Sequence, residues 1–69
     1  MGYFVYILKS EVDDRFYYGQ TQDIKARLKH HNKGYSNYTR KYIPWILYAF
    51  QEVDSRTSAL KLEQKLKNL

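Results

Sequence analysis

Cysteine is absent from these 69 residues, which excludes disulfides and thiolate metal sites and leaves hydrophobic packing to hold the fold. Proline occurs once and glycine three times, and no repeat, low-complexity stretch or linker interrupts the chain. No apolar run approaches the roughly 20 residues that a membrane span requires. The opening MGYFVYILKS has neither a basic leader nor a small-residue cleavage site. The expectation is a cytoplasmic protein of one domain over residues 1–69. Its core must be modest, because a chain this short buries only about 60% of the surface it exposes when unfolded.

Acidic residues are missing from Ile24 through Gln51, while Lys25, Arg27, Lys29, Lys33, Arg40 and Lys41 all fall there. The formal net charge of +5 thus has a continuous basic segment at its centre. Tyr35, Tyr38, Tyr42 and Trp45 are interleaved with it. Cations mixed with flat rings suit phosphate contacts combined with base or sugar stacking. A solvated lysine face with half-buried tyrosines would have the same composition.

Tyr3 to Leu8 is a short run rich in aromatic and β-branched residues and reads as a strand buried on both faces. Glu11 to Asp14 reads as a turn, and Arg15 to Gln20 as the second strand of an antiparallel hairpin. Thr21 or Asp23 can cap a helix that runs through Ala26 and Leu28 to a natural stop at Gly34. Gly34 to Pro44 has no clear period and reads as a loop. Trp45 to Phe50 gives a third strand, apolar on both faces, and Asp54 or Ser55 caps a second helix from about Arg56 to Leu69. The order is ββαβα, an α+β fold with a three-stranded, mainly antiparallel sheet flanked by helices.

Several polar residues sit where packing alone would not put them. In the first helix Ile24, Leu28 and His31 share a stripe, with Arg27 beside it. Arg27 could lay its stem over the core edge, and His31 could serve as a cation near the helix C-terminus. In the second helix Ala59, Leu62 and Leu66 define the inward stripe, and Glu63 lies next to it. A carboxylate there costs several kcal/mol unless paired or bound to a cation, so either Arg27 pairs with Glu63 or Glu63 holds a metal ion. Pleat alternation places Phe4, Tyr6 and Leu8 on one face. Tyr17 joins Tyr6 if the two lie directly across; a one-residue slip would bring Tyr18 there instead.

The segments FVYIL, FYYGQT, ARLKHHNKG, YTRKYIPWILY and RTSALKLEQKLK, in this order and spacing, resemble the GIY-YIG nuclease superfamily, in particular its small stand-alone bacterial members. The triplets that name the family are degenerate: Phe4-Val5-Tyr6 keeps only the tyrosine of the first, which leaves Phe4 and Val5 to packing, and Tyr17-Tyr18-Gly19 keeps the tyrosine and glycine of the second. The resemblance maps the catalytic positions onto Tyr6, Tyr17, Arg27, His31 and Glu63, the residues that packing leaves over. Tyr38 and Arg40 fall in a YTR motif that resembles one of the stand-alone branch, where phosphate or strand contact is expected. Larger members add a polar residue, often asparagine, after the glutamate helix, and a separate DNA-binding domain; neither is expected here.

The resemblance implies a metal-dependent endonuclease that hydrolyses DNA phosphodiesters. Tyr6 is the base, Arg27 holds phosphate oxygens in its planar fork, and Glu63 carries one Mg²⁺ or Mn²⁺. A phenol of pKa near 10 is a poor base, so Arg27, His31 or the metal must lower that value or relay the proton. Lys25, Lys29, Lys33, Tyr38, Arg40 and Lys41 would contact the nucleic acid as a monomer or weak homodimer. The alternatives are a nucleic-acid-binding module of the same fold with little or no turnover, and a small interaction domain whose basic face meets an acidic protein. DNA against RNA, and DNA repair against turnover of foreign strands, are left open.

Overall fold

The computed structural model describes residues 2–68. Strand β1 spans Tyr3–Ser10 and β2 spans Phe16–Thr21; helix α1 is Ile24–Asn32, β3 is Trp45–Val53 and α2 is Arg56–Lys67. The predicted ββαβα order holds, and the three strands form one antiparallel sheet in the order β2-β1-β3. The predicted helix end at Leu69 lies outside the described residues. One stretch differs from expectation: within the predicted loop, Thr39–Tyr42 forms a single 3-10 turn that buries Thr39.

Local chemistry sets the helix starts. Asp23 Oδ1 accepts the Ala26 N–H at 3.1 Å, and Ser55 Oγ accepts that of Ser58 at 3.1 Å, so each helix opens on a side-chain cap. Past the Lys33 cap of α1, Gly34 turns the chain away with a φ of +82°, the left-handed conformation that glycine adopts without a Cβ penalty.

Central position explains why β1 is the apolar strand: Val5, Tyr6 and Leu8 are buried, and both its neighbours pair with it. The face with Tyr6 and Leu8 packs Trp45, Tyr17, Leu28, Tyr42, Ile43 and Leu47 under α1. On the other face Leu62 and Leu66 of α2 line a crevice with Val5, Ile7 and Ala49, and Ala59 is fully buried. Strand β3, apolar in sequence, is an edge strand that leaves Ile46, Tyr48 and Phe50 exposed. A register shift between Ile7 and Leu8 leaves Tyr48 as the extra residue of a bulge.

Asn32 ties α1 to the start of β3. Its Oδ1 accepts the Trp45 backbone N–H at 2.6 Å and its Nδ2 donates to the Trp45 carbonyl at 3.0 Å. The amide thus satisfies both backbone groups of a buried tryptophan, as a neighbouring strand would.

Candidate active site

The site is built on the α1 face of the sheet. Tyr6 pairs with Gly19, two residues from Tyr17 on the same face of β2. This corrects the sequence expectation: neither Tyr17 nor Tyr18 stands directly across from Tyr6, and the two phenols meet on the diagonal, ring centroids 6.3 Å apart. The glycine is required, because a Cβ at position 19 would stand 2.5 Å from the Tyr6 oxygen.

His31 is only 1% exposed, well inside the border position expected for it. Its Nε2 lies 3.2 Å from the Tyr6 hydroxyl and its Nδ1 lies 2.8 Å from Thr39 Oγ1. The Tyr17 ring packs against it at 4.8 Å between centroids. Burial, with the charges of Arg27 and His30, lowers the His31 pKa to about 4. The ring is therefore neutral at pH 7, which replaces the reading of His31 as a cation at the helix C-terminus.

Tyr6 is also 1% exposed. Burial raises its pKa above the ordinary value; Arg27 opposes this, while Tyr17 and Glu63 add to it. The lowering expected of a catalytic phenol does not prevail in the free protein, where Tyr6 keeps its proton. The same balance shows that Arg27 from α1 and Glu63 from α2 both act on this hydroxyl. Arg27 Nε is buried with no hydrogen-bond partner among the described residues.

Glu63 does not pair with Arg27. Its carboxylate, on a side chain 16% exposed, accepts from Lys67 Nζ at 2.8 Å one turn further along α2. Among the described residues no group of three or more His, Cys, Asp or Glu side chains converges. A single hard carboxylate still fits an ion such as Mg²⁺, which keeps most of its waters and needs few protein ligands. Lys67 is 53% exposed on its side chain and can swing away from the carboxylate.

Two groups of cations differ in placement. Lys25, Lys29 and Lys33 are exposed on the far side of α1 from Arg27 and His31, as the helical repeat requires. Arg40 and Lys41 are exposed on the 3-10 turn that carries Thr39 against His31. Tyr38, half exposed, extends the aromatic wall, with its ring 6.4 Å from Tyr17 and 5.7 Å from Tyr42. His30 packs against Tyr35 at 5.4 Å.

Sequence reasoning gave neither Thr39 nor Arg15 its contacts in the site. Arg15 lies over the Tyr42 ring at 4.4 Å and its Nη1 donates to the Tyr38 hydroxyl at 3.4 Å. Strand alternation held a signal for Arg15, which shares the Tyr17 face. Thr39 was marked only as the middle residue of the YTR motif, and nothing local showed that its hydroxyl turns inward to His31.

The family model for the GIY-YIG catalytic domain matches residues 2–69. The chain belongs to the GIY-YIG family. Among relatives, a UPF0213 protein of Haloquadratum walsbyi is 36% identical over 67 residues, covering 96% of this chain and 74% of its own length. A UPF0213 protein of Streptococcus pyogenes is 37% identical over 65 residues, covering 93% and 70%. The solution NMR structure of a UPF0213 protein from Bacillus halodurans matches with a TM-score of 0.60 at 36% identity, over 100% of this chain and 73% of that one. The GIY-YIG fold inferred from the segment order is thus the fold of this chain.

Proposed function

We propose that this GIY-YIG domain is a metal-dependent endonuclease that hydrolyses phosphodiester bonds in DNA. The observation that carries the reading is Arg27: its buried Nε has no acceptor among the described residues, and it acts on the buried Tyr6 phenol. A phosphate oxygen is the acceptor that a guanidinium fork there would take. Such an anion also offsets the cost of burying the cation.

Arg27 holds the phosphate and stabilises charge as the phosphorane develops. Tyr6 stands at the base position: ionised, with its own proton released to solvent, its phenolate accepts a proton from the attacking water. His31 and Tyr17 hold the phenol in place. Glu63 holds one Mg²⁺ or Mn²⁺, which when bound supplies positive charge for the scissile phosphate and cancels the carboxylate's resistance to Tyr6 ionisation. Arg40, Lys41 and Tyr38 contact the strand near the site, and Lys25, Lys29 and Lys33 reach only flanking phosphates.

A second reading has its own observation. The free protein keeps Tyr6 protonated and Glu63 paired with Lys67, which also suits a nucleic-acid-binding module with little turnover. Cleavage of single-stranded, duplex and branched DNA with Mg²⁺ or Mn²⁺ separates the two. The nuclease predicts metal-dependent cutting that Glu63→Gln and Tyr6→Phe each abolish. Binding without cutting, with affinity unchanged or improved in Glu63→Gln, establishes the binding module instead.

A further inference from the structure

A surface arginine is ordinarily mobile, because holding its long side chain in one place costs rotamer entropy. Arg15, with 45% of its side chain exposed, is nevertheless held from three sides. Its guanidinium lies over the Tyr42 ring at 4.4 Å, its Nη1 donates to the Tyr38 hydroxyl at 3.4 Å, and its Nε pairs with Asp13 Oδ2 at 3.4 Å. The pair with Asp13 is exposed on both sides and contributes little. These contacts engage Nε, Nη1 and one face of the plane, which leaves Nη2 to donate elsewhere.

The held cation stands at the end of a path that begins at Tyr6. Arg15 directly precedes β2, and pleat alternation puts it on the face of Tyr17 and Gly19, the residue across from Tyr6. At about 3.3 Å per residue, the four steps from Gly19 to Arg15 span about 13 Å along the strand. Aromatic rings fill the interval: Tyr17 lies 6.3 Å from Tyr6, and Tyr38 lies 6.4 Å from Tyr17, between centroids. Tyr38 is 49% exposed, so part of its ring is open to a ligand.

We infer that Arg15 and Tyr38 form a nucleotide subsite beside the Tyr6–Arg27 centre: Tyr38 stacks an unpaired base, and Arg15 donates to a phosphate oxygen of the same strand. The inference rests on nucleic acid being the ligand of that centre. Tyr42 and the Tyr38 hydroxyl hold the guanidinium in place beforehand, so less freedom is lost when it meets a phosphate. A base inside a duplex already has both faces covered by its neighbours, so a stacking ring selects strands with unpaired nucleotides. The lysines of α1 give no such selection, since a point charge takes the phosphates of duplex and single strand alike. The substrate class is therefore single-stranded or frayed DNA in preference to continuous duplex.

Fluorescence anisotropy in metal-free buffer across a salt series tests the subsite, with a labelled thymidine oligonucleotide and a hairpin duplex of equal charge as probes. The wild type should bind the single strand more tightly. Arg15→Gln should weaken that binding and lower the slope of log affinity against log salt by about 0.7, the share of one phosphate contact on a single strand. Arg15→Lys should restore the slope. Tyr38→Leu should lose about tenfold on the single strand and little on the duplex, while Tyr38→Phe, which keeps the ring, should retain the preference. An unmoved slope in Arg15→Gln, or a Tyr38→Leu loss equal on both probes, overturns the subsite. A wild type that binds neither probe, or both alike, overturns it without any variant. Single-strand preference with both variant effects, in a protein that cuts neither probe once Mg²⁺ or Mn²⁺ is added, supports the subsite and overturns the nuclease reading; metal-dependent cutting with an unmoved slope does the reverse.

Discussion

A Cβ built on Gly19 would stand 2.5 Å from the phenol oxygen of Tyr6 and 2.6 Å from the ring carbon that bears it. Tyr6 lies buried between this backbone and His31, so an added methyl must drive the phenol out of its place. Gly19→Ala should cost about 1–3 kcal/mol by overpacking. It should reduce cleavage far more than its loss of stability explains. Urea unfolding and cleavage rates on one preparation check this; wild-type cleavage in Gly19→Ala would show that the position of Tyr6 is immaterial.

Stability should fall as pH drops from about 6.5 toward 4. The unfolded His31 takes up a proton near its ordinary value of 6.5, while the folded one resists until about 4. In that window the unfolded state binds more protons, so acid favours it. The full effect is on the order of 3 kcal/mol, reached below pH 4. Unfolding free energies of the wild type and His31→Gln across this range isolate the histidine from the carboxylates. Parallel curves for the two proteins would refute the shift.

Lys67 competes with any cation for Glu63, since its Nζ lies 2.8 Å from the carboxylate. Lys67→Ala should change stability little, because an i,i+4 pair on a helix contributes about 0.3–0.5 kcal/mol. Half-maximal cleavage should then need less Mg²⁺. A higher requirement for the ion would mean that Lys67 serves the substrate and does not oppose the metal.

Salt dependence should separate the two basic groups. Replacing Arg40 and Lys41 with glutamine should lower the slope of log affinity against log salt by about 2, near one unit per lost phosphate contact. The pair Lys25→Gln and Lys29→Gln, on the far side of α1, should lower it less. Equal effects would mean that the nucleic acid wraps around α1.

Residues within one element were legible from sequence because their signals are local. The 3.6-residue repeat put Arg27 and His31 beside the Leu28 stripe, and alternation put Tyr6 with Leu8 and Phe4. Asp23, Ser55 and Gly34 marked helix ends through bonds and backbone angles that span a few residues. Edge exposure of β3 was not legible, because an apolar strand reads alike at the edge and the centre of a sheet until its neighbours are known.

By itself, then, the sequence determined the order of the elements, the family, and the short set of polar residues that packing leaves over. Tertiary structure alone decided that Tyr6 faces Gly19, that Glu63 meets Lys67 and not Arg27, and that Thr39 closes on His31. The first and third join side chains from different elements, through strand register and packing across segments 13 and 8 residues apart. The second, although only one helical turn in length, was decided by where α2 docks. This sets Leu62 and Leu66 against Val5 and Ile7, with the Glu63 carboxylate within reach of its own helix's lysine and the Arg27 guanidinium beside Tyr6.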